Sequence, residues 1–136
     1  MSPEAITVIG AVSIVILVGL FFIARKFPKR VKKSHYVKKW REIQKLCANK
    51  DDWPHAVVHA DMLLDEVMKK KKIGGKTTGE RMVNAQAKFS ANDSVWNAHK
   101  LANSIRQEAN KPITEATVKD TLISFRQALR DLGAIK

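Results

Sequence analysis

Two histidines at helical spacing are the first residues in this chain that could do chemistry. His55 and His59 are four positions apart, which would place both imidazoles on one face of a helix, where they could hold a metal ion. The zinc-protease pattern needs a glutamate directly after the first histidine, and Ala56 stands there. The sequence identifies no third ligand. We therefore interpret His59 as a structural histidine and predict neither a metal site nor a cofactor.

A glycine–lysine–threonine run at 75–77 resembles the end of a phosphate-binding loop. The full motif needs a glycine five positions before Gly75, and Lys70 occupies that position. No strand precedes the run, so there is no loop of backbone N–H groups to hold phosphates. We interpret the run as the stop of one helix and the start of the next, because Thr77 and Glu80 have the spacing of a capping box.

The remaining nucleophiles and carboxylates do not form a catalytic set in the sequence. Cys47 is the single cysteine, which excludes an internal disulfide and favours a small packing residue on an apolar helical face. Asp61, Asp65 and Glu66 fall on what we take to be the polar side of one helix, where solvation and pairing with lysines would account for them. We predict no catalytic residues on this basis.

An uncharged run over residues 5–24 determines where the rest of the chain lies relative to a membrane. Twenty residues of helix are about 30 Å long, the thickness of the hydrocarbon core of a bilayer. A cleaved signal peptide would have positive charge ahead of a shorter apolar core, and residues 1–4 contain no Lys or Arg. We predict a retained transmembrane helix at 5–24 that makes the chain a single-pass protein of the inner (cytoplasmic) membrane. Residues 1–4 would lie outside, and the rest would lie in the cytoplasm.

The charge distribution predicts the orientation of the transmembrane helix and a contact with lipid headgroups. Of the net charge of +12, residues 42–136 carry only +4, with sixteen bases and twelve acids, while residues 1–41 hold nine bases and one acid. A basic flank on one side of the span favours the cytoplasm for that side and attracts anionic lipid headgroups. Nucleic acid is the less favoured partner, because the excess charge is juxtamembrane, over 25–41. The candidate headgroup contacts are Arg25, Lys26, Lys29, Arg30, Lys32 and Lys33.

The rest of the chain has the 3.6-residue period of amphipathic helices and lacks strand alternation. A first helix carries Tyr36, Trp40 and Ile43 on one face and continues from the basic segment. Four further helical patterns follow. Their candidate N-caps are Asp52, Thr77, and Asn92 or Asp93; the last helix starts at Thr114, and a stop falls at residues 74–75. The predicted fold class is all-α: one transmembrane helix followed by a four- to five-helix cytoplasmic bundle over 42–136.

Four stretches carry a resemblance to a known family. They are residues 59–65 (HADMLLD), 75–81 (GKTTGER), 95–101 (VWNAHKL) and 125–133 (FRQALRDLG). This pattern resembles a helical family found in small membrane-anchored proteins of bacteria of the candidate phyla radiation, which is similar to the HEPN superfamily. The resemblance implies a helical bundle, often dimeric, with metal-independent RNase or nucleotide-binding members.

The HEPN nuclease motif is not matched here. The resemblance places its arginine and histidine directly after Leu101, where this chain has Ala102 and Gln107 instead. We therefore predict a non-catalytic interaction or scaffolding module that binds a protein partner, a second copy among the candidates. His99, Asn103 and Arg106 form the candidate interaction face. Two alternatives stay open: a rearranged HEPN-type RNase or nucleotide-binding protein using His99 with Arg106, and a protein that binds anionic lipid or nucleic acid through 25–41.

Overall fold

A long apolar helix, α1, opens the chain. The computed structural model describes residues 2–26 and 31–136, and α1 spans Pro3–Lys26. Its stretch Pro3–Ile23 is long and apolar enough to cross a membrane. The hydroxyls of Thr7 and Ser13 donate to the carbonyls four residues earlier, at 3.1 and 2.9 Å, so these two polar side chains are satisfied within the helix itself.

Five more helices follow, which confirms the all-α prediction. They are α2 (Lys33–Leu46), α3 (Trp53–Lys70), α4 (Thr78–Ala85), α5 (Asn92–Gln107) and α6 (Glu115–Asp131). Two short 3₁₀ turns, Lys50–Asp52 and Gln86–Lys88, join α2 to α3 and extend α4. The described ranges contain no β-strand.

Helix α3 lies at the centre of the bundle and packs against α2, α4, α5 and α6. Its apolar residues recur at helical spacing, so that a broad stripe faces its neighbours. The core around it is closed by Phe125 and Leu129 of α6 and by Met82 of α4, all of them fully buried. This arrangement places the middle of α3 opposite the middle of α5.

The bundle begins earlier in the chain than the charge distribution indicated. The boundary between 41 and 42 falls inside α2, whose Tyr36 and Trp40 are 3% and 6% exposed. Lys33 and the basic residues after it therefore project from a helix of the bundle, because an amphipathic helix keeps lysines on its outer face while its aromatic face is buried.

Some of the predicted helix ends are confirmed and others differ. Thr77 and Thr114 accept hydrogen bonds from the N–H groups of Glu80 and Thr117, as capping threonines do. Asp52 precedes α3 without a side-chain cap. Helix α5 begins at Asn92, and its cap position is Ala91.

The stop of α3 also differs from the prediction. The helix ends at Lys70, ahead of the glycines at 74–75, and Lys72 adopts the left-handed conformation with φ +60°. The N–H of Ile73 donates to the carbonyl of Met68 at 3.0 Å, which closes a Schellman motif with a lysine where glycine is usual.

Candidate functional site

The three residues of the predicted interaction face lie together on α5. Their spacing of four and three positions puts them on one helical face. The amide nitrogen of Asn103 is 3.3 Å from Nε2 of His99, and Nη1 of Arg106 donates to Oδ1 of Asn103 at 3.0 Å. The sequence therefore identified a real cluster, although it did not show what the cluster surrounds.

A buried carboxylate from α3 completes this cluster. Oδ1 of Asp61 is 2.7 Å from Nδ1 of His99, and Oδ2 accepts from Nη1 of Arg106 at 2.8 Å. Asp61 is only 1% exposed, so our placement of it on the polar side of its helix is wrong. Burial of this charge is tolerated because a guanidinium and an imidazole N–H compensate it.

The burial of Asp61 could have been found from spacing. It lies four residues after Val57 and three before Leu64, both fully buried, and so falls within the apolar stripe of α3. The residue type misled the interpretation, because an aspartate in an apolar stripe is rarely buried without a partner. Its partner Arg106 is 45 positions away in the sequence, and only the fold brings the two together.

Exposure rises along the network from the core to the surface. The side chain of Asp61 is 1% exposed, that of His99 10%, and that of Arg106 36%. His99 is covered by Trp96, whose ring meets the imidazole edge-on at 6.0 Å between centroids. Arg106 and Asn103 can therefore meet a partner, whereas His99 is largely enclosed.

The chemistry open to this arrangement is limited. A neutral His99 that donates from Nδ1 to Asp61 keeps its lone pair on Nε2, as in the base half of a catalytic triad. Here Asn103 occupies the space next to Nε2, and in the described part of the chain no Ser, Thr or Cys side chain is hydrogen-bonded to the ring. The network is suited to hold the Arg106 guanidinium in one orientation at the surface.

An open groove of about 630 Å³ begins at Arg106 and runs along the outer side of α3 towards α2. Apolar side chains of Ile43, Leu46, Met62 and Leu63 line it, and Met62 is 56% exposed. Charged residues of both signs border it: Lys39, Glu42, Asp65, Glu66, Lys69 and Arg106. Sequence analysis did not find this groove, because its lining comes from separate helices.

A second ion pair fixes the turn between α3 and α4. Arg81 donates from Nε and Nη2 to the two oxygens of Asp65, at 2.6 and 3.1 Å, and from Nη1 to the carbonyl of Gly75 at 2.6 Å. Burial alone would raise the pKa of Asp65, but the hydrogen bonds from Arg81 and Lys69 outweigh it and hold that pKa below its usual value.

The run at 75–77 belongs to this turn. Gly75 has φ +146°, and a Cβ there would lie 2.7 Å from the backbone nitrogen of Arg81. Thr77 caps α4, and the Glu80 carboxylate accepts from the N–H of Lys76 at 2.6 Å. These contacts confirm the helix-start interpretation of the run, whereas α3 has already ended at Lys70.

The other chemical candidates are dispersed. His55 and His59 are both exposed, and within residues 2–26 and 31–136 no group of three or more His, Cys, Asp or Glu side chains is placed to hold a metal ion. Burial raises the pKa of the Cys47 thiol, which leaves it protonated and weakly nucleophilic at neutral pH. Asp131 at the end of α6 accepts hydrogen bonds from the N–H and the hydroxyl of Ser90. Burial alone would raise the pKa of Asp131, but these hydrogen bonds outweigh burial and hold that pKa below its usual value.

The candidate lipid contacts are only partly described. Lys32 and Lys33 are exposed at the start of α2. Lys29 and Arg30 lie outside the described residues, and so do the side chains of Arg25 and Lys26 in the last turn of α1.

No protein-family model, curated protein or solved structure matches the chain, so its function is argued from the geometry above.

Proposed function

We propose that this chain is a single-pass membrane protein whose cytoplasmic helical bundle acts through non-catalytic contacts with a protein partner. The proposal of a span rests on the length and apolar character of α1. The proposed side rests on the bases between residues 25 and 41, which favour the cytoplasm for all that follows α1.

The enclosed state of His99 supports a role without catalysis. A general base must reach the proton that it removes, and its Nε2 must be free to do so. In this bundle Trp96 covers the ring and Asn103 lies beside Nε2. The polar network thus serves to join α5 to α3 and to present Arg106.

The groove beside Arg106 is the observation that carries the interaction proposal. Met62 lines the groove and is more than half exposed, although the surface residues of a helix are normally polar. The border carries three bases and three acids, so it favours a partner with both signs of charge over a nucleic acid. The occupant that fits is an amphipathic helix whose apolar side chains enter the groove.

Photocrosslinking of the full chain in its own membrane tests this proposal. A photoreactive amino acid replaces Met62 in one variant and Val83 in a matched control, since Val83 of α4 is also apolar and is 50% exposed. We expect a discrete protein adduct from position 62 that position 83 does not give. Peptide mapping then distinguishes a separate protein from a second copy of this chain.

The 2.7 Å contact between Asp61 and His99 favours one further candidate, a nuclease or nucleotide-binding activity with a rearranged site. A carboxylate that orients a histidine is the usual arrangement around a general base. The test is incubation of the detergent-purified chain with labelled RNA beside the His99→Ala variant. Cleavage by the wild type that the substitution abolishes would replace the interaction proposal with an enzymatic one.

A further inference from the structure

The lysines at 69–72 lie at the same end of the bundle as the start of α2. Helices α2 and α3 run in opposite directions, because Lys39 of α2 pairs with Glu66 of α3 at 2.8 Å while Trp53 donates to the carbonyl of Cys47 at 3.0 Å. The last residues of α3 therefore meet the first residues of α2. In the sequence these two basic clusters are separated by more than thirty residues.

An open cleft of about 690 Å³ lies between these two helix ends. Lys32, Lys69, Lys70 and Lys72 line it together with Tyr36 and Glu66. Within the described part of the chain, Lys32, Lys70 and Lys72 form no ion pair, and the Glu66 carboxylate is already held by Lys39. The cleft is thus strongly cationic: Lys69 pairs with Asp65, while the charges of Lys32, Lys70 and Lys72 are uncompensated within the described residues.

The position of this cleft in the chain sets its distance from the bilayer. Seven residue steps join Lys26, the end of α1, to Lys33, the start of α2. A chain of that length spans at most about 25 Å when fully extended. If α1 crosses the membrane as proposed above, the start of α2 at the cleft lies within about 25 Å of the end of α1, so the cleft can reach the headgroups on that side.

Lys72 adds an independent observation. It adopts the left-handed conformation at φ +60°, where glycine is the favoured residue. A residue held in an unfavourable backbone conformation is a reason to examine that position for a function. The lysine keeps an exposed positive charge at the edge of the cleft, which glycine would not supply.

We propose that this cleft binds anionic headgroups of the membrane that holds α1, so that Lys70 and Lys72 act with Lys32 to dock the end of the bundle on the bilayer. The shared chemistry is a phosphate group beside several ammonium groups, and each lysine near an anionic surface adds about fivefold to the affinity. Burial, followed by the nearby Glu66, raises the pKa of Tyr36, so its phenol stays a proton donor at the base of the cleft. The inference rests on the proposed membrane anchor and is separate from the partner groove.

Lysine acetylation of the full chain in nanodiscs tests this site. One set of nanodiscs contains phosphatidylcholine alone, and the other contains one third phosphatidylglycerol. We expect Lys70 and Lys72 to react at least threefold more slowly in the anionic set, with the difference lost in 0.5 M NaCl. Lys119, exposed on α6 near the opposite end of the bundle, is the internal control and should react equally in both.

The Lys72→Gly variant separates binding from folding. Glycine fits the backbone at this position, so the variant should unfold no earlier than the wild type while Lys70 loses protection in anionic nanodiscs. Equal acetylation of Lys70 and Lys72 in both lipid sets, with the chain still embedded, would overturn the proposal. Protection by inorganic phosphate in the neutral nanodiscs would also overturn it, because a lipid source would then be unnecessary. Loss of the chain from the nanodiscs would instead refute the anchor.

Discussion

Nδ1 of His99 lies 2.7 Å from the carboxylate of Asp61, and this contact joins α5 to α3 inside the bundle. The other carboxylate oxygen binds the guanidinium of Arg106, so one buried charge connects the core with the surface. The arrangement explains how a helix rich in apolar residues tolerates an aspartate in its stripe. It also fixes the orientation of Arg106, which borders the groove at Met62.

Removal of this carboxylate should destabilise the bundle strongly. Asp61→Ala removes the acceptor of His99 and creates a cavity in the core. We expect the free energy of unfolding to fall by about 3 kcal/mol. Tryptophan fluorescence of the full chain in detergent measures this, because Trp40, Trp53 and Trp96 all lie in the bundle. Asp120→Ala, at an exposed position of α6, is the matched control, with an expected change within about 0.5 kcal/mol. Equal effects of the two substitutions would contradict the structural role of Asp61.

The ion pair between Asp65 and Arg81 should make part of the stability depend on pH. The folded-state pKa of Asp65 is lowered: burial raises it, but the hydrogen bonds from Arg81 and Lys69 outweigh that effect. Its contribution is therefore complete above the unfolded pKa, about 3.9, and is lost as the pH falls through the lower folded value. The difference in unfolding free energy between wild type and Asp65→Asn should be constant from about pH 5 to 7 and shrink below about pH 4. A difference that grows on acidification would refute this assignment.

The two glycines after α3 should respond differently to alanine. Gly75 has φ +146° and no room for a Cβ beside Arg81, so Gly75→Ala should cost about 1–3 kcal/mol. At Gly74 the nearest atom to an added Cβ is 3.9 Å away, on the Asn84 side chain, and Gly74→Ala should be neutral within about 0.5 kcal/mol. Chemical denaturation of both variants checks the difference. Similar midpoints would show that the turn is not built as described.

Lysines 70 and 72 should also respond in opposite directions to glycine. Lys70 is the last residue of α3, where glycine costs up to about 1 kcal/mol, whereas Lys72 already has the backbone conformation that glycine prefers. We expect Lys70→Gly to lower the unfolding midpoint and Lys72→Gly to raise the stability by about 1 kcal/mol. Destabilisation by Lys72→Gly would remove the argument that this lysine is kept for its charge.

The local features of the fold could be predicted from the sequence, and the contacts between distant residues could not. The apolar length of α1, the helical period of the bundle, the capping threonine at 77 and the helix start at 114 depend on neighbouring residues, and the sequence shows all of them. The spacing of Asp61 places it in the apolar stripe of α3, but its partner Arg106, which makes burial of the charge tolerable, is brought from another helix by the fold. The groove and the basic cleft each combine side chains from separate helices, so neither has a signature in any one segment.

The cluster of His99, Asn103 and Arg106 could be predicted because it is local to one helix. All three residues lie on one helix, where spacing alone puts them on one face. The sequence does not show how deeply each side chain is buried, because the exposure of His99 depends on how α5 packs against α3 and on Trp96. The pattern therefore identified the residues and left open which of them reaches the surface.

The central claim is that the bundle binds a protein partner through the groove at Met62. The most direct test is the yield of protein adducts from a photoreactive residue at position 62, compared with position 83, in intact membranes. We predict one discrete adduct from position 62, at least fivefold stronger than any adduct from position 83, and its loss when the half-buried Leu46 of the groove is replaced by aspartate. Equal and diffuse labelling from both positions would contradict the claim.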